Sequence, residues 1–291
     1  MAIFVTGATG TVGSQVVAQL ADRGATIRAL VRNPEAARLP HGVEVVKGDL
    51  LDVESVRSAL DGVRTLFLLN AVSPDELTQA MIALNLAREA GIDRIVYLSV
   101  IHSDIYADVP HFAGKYAVER MIERTGLAAT ILRPAYFINN DATLGEAIQG
   151  HGVYPMPIGA KGLEMIDVRD IGEIAAIELL KRDLAPEPLA FERIDLVGPE
   201  RLTGSAVAGI WSEVLGRAIV YGGDDTAAFE LTMSRLAPSW MAYDMRIMAD
   251  RLQSEGMAAE AGTSERLATL LARPLRSYRD FAVEMASQWR G

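Results

Sequence analysis

The sequence of 291 residues contains no cysteine. This absence excludes disulfides, a thiolate nucleophile and thiolate metal ligands. Only four histidines are present, and none has a histidine or a carboxylate four residues further on. We therefore expect no metal site. Aromatic residues make up only 6% of the chain, so few side chains are available as aromatic pocket walls.

Basic residues are in the minority, with 28 Lys and Arg against 38 Asp and Glu and a formal net charge of −10. This balance opposes non-specific binding to nucleic acid or to anionic membranes. No apolar run approaches the ~20 residues of a membrane-spanning helix. The N-terminal segment lacks a basic region and enters a core strand directly, so we expect no signal peptide and a cytoplasmic location.

The first half of the chain alternates between apolar strand patterns and amphipathic helix patterns. Such alternation is typical of an α/β protein with a Rossmann-type, doubly wound parallel sheet. The predicted strands cover residues 2–5, 26–31, 43–46, 65–69, 94–98 and 128–132.

The second half is less regular, with a stretch rich in Gly and Pro at 150–162 and a helix pattern at 170–182. We predict an NAD(P)-binding domain at residues 1–150, with later segments returning to its sheet. Residues 151–291 are predicted to form a smaller mixed α/β cap. Ligands of open parallel sheets bind beyond the carboxyl ends of the strands, so the cap is expected to shape a substrate pocket there.

A glycine-rich turn, Gly7-Ala-Thr-Gly-Thr-Val-Gly13, separates the first strand from the first helix. Glycines at these positions allow a tight turn, close approach of a pyrophosphate and close packing of helix on strand. The helix N-terminus favours negative charge. The alternative is a purely structural turn, in which threonines are also common. The predicted phosphate-binding residues are Gly7, Thr9, Gly10, Thr11, Val12 and Gly13.

The end of the second strand carries Arg32 where NAD-specific proteins usually place an acid. A guanidinium can pair with the 2′-phosphate of NADP, whereas a carboxylate would repel it. Asn33 can donate a hydrogen bond to the same phosphate. We therefore predict NADP(H) rather than NAD, the alternative being that Arg32 is an ordinary solvated arginine.

Asp49 and Leu50 follow the third strand. Asp49 can accept a hydrogen bond from the adenine amino group, with Leu50 against the ring. It can equally cap a local turn, and the sequence leaves both interpretations open.

Several segments together resemble atypical short-chain dehydrogenase/reductases, and among them the NmrA-like group. They are Thr6-Gly-Ala-Thr-Gly-Thr-Val-Gly13, Ala29-Leu-Val-Arg-Asn33, Gly48-Asp49, Val96-Tyr-Leu-Ser99 and Leu132-Arg-Pro134. That group includes NADP-dependent quinone reductases, a triphenylmethane-dye reductase and NADP-sensing regulators. The resemblance implies further cofactor contacts from Leu69, Asn70 and Ala71 beside the adenosine ribose, Ser99 near the nicotinamide ribose, and Pro134, Tyr136 and Phe137 beside the nicotinamide.

Most short-chain reductases carry Tyr-x-x-x-Lys on the helix after the fifth strand, whereas the matching segment of this chain is His111-Phe-Ala-Gly-Lys115. In the family pattern the lysine holds the ribose and the tyrosine exchanges a proton with the substrate. Lys115 is predicted to bind the ribose, against the alternative of a solvated lysine. His111 either donates a proton, a role for which a histidine side chain is suited near neutral pH, or only lines the pocket.

Three functional hypotheses follow. The leading hypothesis is an NADPH-dependent oxidoreductase that transfers hydride to a small conjugated electrophile. A quinone or a related activated acceptor fits best, because such acceptors tolerate loss of a strong protein acid. The second is a non-catalytic NADP sensor that acts through a protein partner. The third, a nucleotide-sugar epimerase or dehydratase, is disfavoured by the missing tyrosine. A homodimer is also predicted.

Overall fold

The computed structural model of the protein describes residues 2–289. Its main sheet contains seven strands in the order β3-β2-β1-β4-β5-β6-β8. The pairings from β3 through β6 are all parallel, which confirms the predicted Rossmann-type sheet. The strands of this sheet are β1 (Ala2–Val5), β2 (Ile27–Val31), β3 (Glu44–Lys47), β4 (Val63–Leu68), β5 (Arg94–Leu98), β6 (Ala129–Pro134) and β8 (Glu192–Leu196).

The central strands are apolar because helices cover both faces of the sheet. Phe4, Leu66 and Ile95 belong to a buried cluster with side chains of α2, α3 and α4. On the other side, α1 and α5 pack closely together, since Gly172 leaves room for Gln15. The helices of this region are α1 (Thr11–Asp22), α2 (Val53–Ala59), α3 (Glu76–Glu89), α4 (Pro110–Arg124) and α5 (Val168–Leu184).

The chain packs as two compact units that interleave in sequence. The first contains residues 1–103, 111–133 and 168–194, and the second contains 104–110, 134–167 and 195–291. The predicted domain bounds, 1–150 with later segments returning to the sheet and 151–291, stay a prediction. In the structure, α5 packs against α1, β4 and β5 and belongs to the first unit. Met1 and residues 290–291 of the predicted domain bounds lie outside the described residues.

The second unit combines helices with a small two-stranded parallel sheet, β7 with β9. Its core includes Trp211, which contacts the rings of Tyr278 and Phe281. Across residues 2–289, no helix combines the length and the apolar character needed to cross a membrane. The elements of this unit are β7 (Val153–Tyr154), α6 (Gly204–Leu215), β9 (Val220–Tyr221), α7 (Thr226–Met233), α8 (Ser239–Glu255), α9 (Thr263–Leu271) and α10 (Tyr278–Gln288).

Candidate functional site

The glycine turn follows β1 and leads into α1, as the sequence predicts. Gly7 has a φ of +64°, a conformation that glycine adopts without a steric penalty. Its carbonyl oxygen accepts a hydrogen bond from the Gly10 N–H at 2.9 Å. A Cβ atom on Gly13 would lie 2.0 Å from that same carbonyl oxygen, so the close packing requires glycine. Thr11 and Val12 begin α1, with Gly10 at its N-cap.

A pocket of about 270 Å³ opens at the carboxyl ends of β1, β2 and β4. Thr6, the residue after β1, fixes this edge because its hydroxyl donates to the Leu69 carbonyl at 2.9 Å and accepts from the Leu69 N–H at 2.8 Å. The pocket brings together eight of the predicted cofactor residues, namely Gly7, Thr9, Arg32, Asp49, Leu50, Leu69, Asn70 and Ala71. The pocket is not lined by the other ten predicted cofactor residues, which are Gly10, Thr11, Val12, Gly13, Asn33, Ser99, Lys115, Pro134, Tyr136 and Phe137.

Arg32 follows β2 and is an exposed wall residue of this pocket. Within residues 2–289 Arg32 forms no ion pair, so its guanidinium group is available to bind a ligand. Asp75 lines the same pocket. Hydrogen bonds from Ser73 and Gln79, together with the positive charge of Arg32, hold the pKa of Asp75 below its usual range. The pocket therefore presents one guanidinium with a carboxylate close enough to interact with it.

Asp49 stabilises its own turn, since one carboxylate oxygen accepts a hydrogen bond from the Leu51 N–H at 2.9 Å. Its backbone N–H donates to the Ser55 hydroxyl at 3.2 Å. The side chain also lines the pocket. Turn formation is thus observed, and the predicted contact of Asp49 with adenine stays a prediction.

The pocket residues fit a dinucleotide on two independent observations. Asn70 is 5% exposed, and its side-chain oxygen has no hydrogen-bond partner within residues 2–289. A buried, unsatisfied acceptor beside a pocket is costly unless a ligand donates to it. The glycine turn is the second observation: Gly7 and Gly13 pack tightly against Leu69 and the Gly7 carbonyl, and the turn leads into the N-terminus of α1, where a phosphate is favoured.

Lys115 lies on α4 and is only 8% exposed, so it is not a solvated lysine. Its ammonium group forms a 2.5 Å ion pair with Glu76, the first residue of α3. Glu76 is itself 6% exposed. His111 lies one turn before Lys115 on α4 and is half-buried, with its ring against Phe112 at 4.7 Å. The pair at i and i+4 places both side chains on one side of the helix.

Ser99 follows β5, and its hydroxyl donates to Glu119 at 2.5 Å. Glu119 is completely buried and also accepts hydrogen bonds from Arg133 and Ser103. Arg133 compensates its charge, as a buried carboxylate requires. The Ser99 hydroxyl therefore donates its proton to Glu119, whereas its oxygen can still accept a hydrogen bond.

Tyr136 and Phe137 belong to the second unit, as does Pro134. The Tyr136 hydroxyl donates to buried Asp141 at 2.8 Å. Burial and the negative charge of Asp141 raise the pKa of Tyr136 well above its ordinary value. Tyr136 is therefore a poor proton donor and does not replace the tyrosine that is missing at position 111. Phe137 is half-buried, and the predicted contacts of these three residues with nicotinamide stay predictions.

The sheet order, with a glycine turn after β1 and a pocket at the strand ends, defines a Rossmann-type protein. The chain belongs to the NmrA-like family, whose sequence profile matches residues 1–259. This confirms the family resemblance. Within residues 2–289, no group of three or more histidine, aspartate or glutamate side chains is arranged to hold a metal ion.

One relative and two solved structures are similar along nearly their whole length. An NAD(P)H azoreductase of Xenophilus azovorans is 29% identical over 288 residues, covering 96% of each chain. The NADPH complex of an Escherichia coli quinone oxidoreductase has a TM-score of 0.85 at 24% identity, covering 97% of this chain and 99% of that one. The NADP(H) complex of Citrobacter sp. triphenylmethane reductase has a TM-score of 0.84 at 24% identity, covering 98% and 99%. The two structures establish likeness of fold.

The sequence interpretation missed several pocket residues, among them Thr6, Ser73, Asp75 and Gln79. Glu76 was missed as well. Thr6 directly follows β1. The other missed residues share a position, since all lie in the loop after β4 or in the first turn of α3, at the carboxyl end of a central strand. That is the edge where ligands of such sheets bind. Neither periodicity nor a motif distinguishes them from ordinary helix-start residues.

Proposed function

We propose that this protein is an NADPH-dependent oxidoreductase that reduces a small conjugated acceptor, of the quinone or azo class. The observation that carries the proposal is the strand-end pocket, where the glycine turn, Arg32 and the unsatisfied Asn70 oxygen meet. The similarity to an NAD(P)H azoreductase along 96% of both chains supports the same function.

The residues around the pocket have distinct parts in the proposal. Backbone N–H groups at the start of α1 bind the pyrophosphate, and Arg32 pairs with the 2′-phosphate. Asn70 accepts from a hydroxyl or amide of the cofactor, and Lys115 binds a ribose. When bound, the reduced cofactor supplies a hydride ion to the acceptor.

Protonation of the reduced acceptor needs no strong acid in the protein. Quinone and azo acceptors are electron-poor, so their reduced anions take a proton from water or from His111. His111 lies on α4, one helical turn before Lys115. Simple ketones depend more on a general acid. The absence of a tyrosine at position 111 therefore favours activated acceptors.

The direct test is NADPH oxidation by the purified protein against a panel of benzoquinones, naphthoquinones, azo dyes and a triphenylmethane dye, with a simple ketone as control. We expect turnover with at least one activated acceptor and none with the ketone. Tight NADPH binding without turnover on any acceptor would instead support the sensor hypothesis. Whether the protein forms the predicted homodimer is measured separately by light scattering.

A further inference from the structure

We infer that Glu76 is a positioning residue that also neutralises the charge of Lys115, and that it thereby sets the relative affinity of the site for NADP⁺ and NADPH. This inference rests on the proposed function. Glu76 lies on a different helix from Lys115 and belongs to no recognisable motif.

The contact itself is direct. The Lys115 ammonium nitrogen lies 2.5 Å from a Glu76 carboxylate oxygen, and the two side chains are 9% and 8% exposed. A buried charge pair at this distance is held strongly, because neither partner has enough water to compensate the loss of the other. An ammonium group has three N–H donors. Glu76 takes one of them and leaves two for a ribose.

The fold explains why Glu76 can reach this position. It begins α3, immediately after the loop that follows β4. A carboxylate in the first turn of a helix is stabilised by the helix dipole. Asn70 lies in the same loop, with its side-chain amide 3.4 Å from Gln79 of α3. One short segment, residues 69–79, therefore contributes both to the pocket and to the ion pair.

The charge argument gives a measurable consequence. NADP⁺ has a positively charged nicotinamide ring, and NADPH has a neutral one. An uncompensated ammonium beside the site disfavours the oxidised form, whereas a neutral Lys115–Glu76 pair discriminates less. Removing the Glu76 charge should therefore raise the dissociation constant of NADP⁺ relative to that of NADPH. One unit charge at roughly 10 Å and an effective dielectric constant of about 20 corresponds to a change on the order of tenfold.

The test is calorimetric titration of NADP⁺ and NADPH into the full-length protein and its variants. We expect Glu76→Gln to increase the ratio of Kd for NADP⁺ to Kd for NADPH by about tenfold. Glu89→Gln serves as the matched control, because Glu89 is an exposed carboxylate on the same helix, paired with Arg57. We expect this control to leave the ratio unchanged.

Two further variants keep the result interpretable if Glu76→Gln folds poorly. Glu76→Asp retains the charge and should retain the ratio, even where both affinities fall. The double variant Glu76→Gln with Lys115→Met contains no unpaired charge and should return the ratio towards that of the unmodified protein. Equal changes in both affinities, or an unchanged ratio in Glu76→Gln, would overturn the inference. Absence of binding by either nucleotide to the unmodified protein would instead overturn the proposed function.

Discussion

Asp141 in the second unit is expected to make the stability of that unit depend on pH. The carboxylate is completely buried and accepts hydrogen bonds from Tyr136 at 2.8 Å, Tyr154 at 3.0 Å and Tyr278 at 2.6 Å. Burial raises its pKa from 3.8 to about 6, although the three tyrosine hydroxyls act in the opposite direction. No cation offsets the burial among these contacts.

The sign and the size of the pH effect on stability follow from the linkage between folding and protonation of Asp141. The folded state holds the proton more tightly than the unfolded state, so the stabilisation is fully present below pH 3.8 and is lost as the pH rises through about 6. The pKa values of Asp141 in the unfolded and folded states differ by roughly two units, and each unit corresponds to about 1.36 kcal/mol. The free energy of unfolding therefore falls by about 3 kcal/mol between these two pH values.

The perturbation is Asp141→Asn, which removes the titration but retains an amide of similar shape. Urea unfolding at pH 4 and pH 7.5 can be followed by tryptophan fluorescence, because Trp211, Trp240 and Trp289 all lie in the second unit. We expect the free energy of unfolding of the unmodified protein, relative to the variant, to be about 3 kcal/mol lower at pH 7.5 than at pH 4. Asp250→Asn, at an exposed ion pair with Arg246, is the control. A difference that is the same at both pH values would refute the reasoning.

Three other substitutions test the first unit. Gly13→Ala places a Cβ atom 2.0 Å from the Gly7 carbonyl oxygen, so we expect a loss of roughly 1–3 kcal/mol in thermal unfolding and weaker NADPH binding; Gly114→Ala, with open space around its Cβ, should cause neither. Arg32→Gln should weaken NADPH binding by about 1.5–3 kcal/mol and leave NADH unaffected in titrations, and equal losses for both nucleotides would argue against a 2′-phosphate contact. His111→Gln should lower kcat by roughly 10²-fold or more if the imidazole donates the proton; an unchanged rate at every pH would leave His111 as a wall residue only.

Local sequence pattern accounts well for the first unit. The alternation of strands and helices is a property of neighbouring residues, and it predicted the central strands to within a few residues of the observed bounds. The glycine turn is equally local, since Gly7 needs a positive φ and Gly13 needs the absence of a side chain. These features pointed to the sheet edge where Arg32 and Asp49 line the pocket, and the family resemblance added Asn70.

Pattern could not predict contacts between residues that are distant in sequence. Glu76 and Lys115 are on different helices, and nothing in either helix indicates the ion pair between them. The same is true of Asp141, whose tyrosine partners extend to Tyr278.

The sequence by itself indicated the family through the resemblance of its motifs. It also determined the sheet and the ligand-binding edge of the sheet, because these depend on short-range periodicity and on conformations that only glycine tolerates. Only the tertiary structure decided which charges are paired and which are available. It buries Lys115 against Glu76 and engages Tyr136 with Asp141, yet leaves Arg32 exposed at the pocket. Burial and pairing depend on which helices pack together, and that is a property of the whole fold.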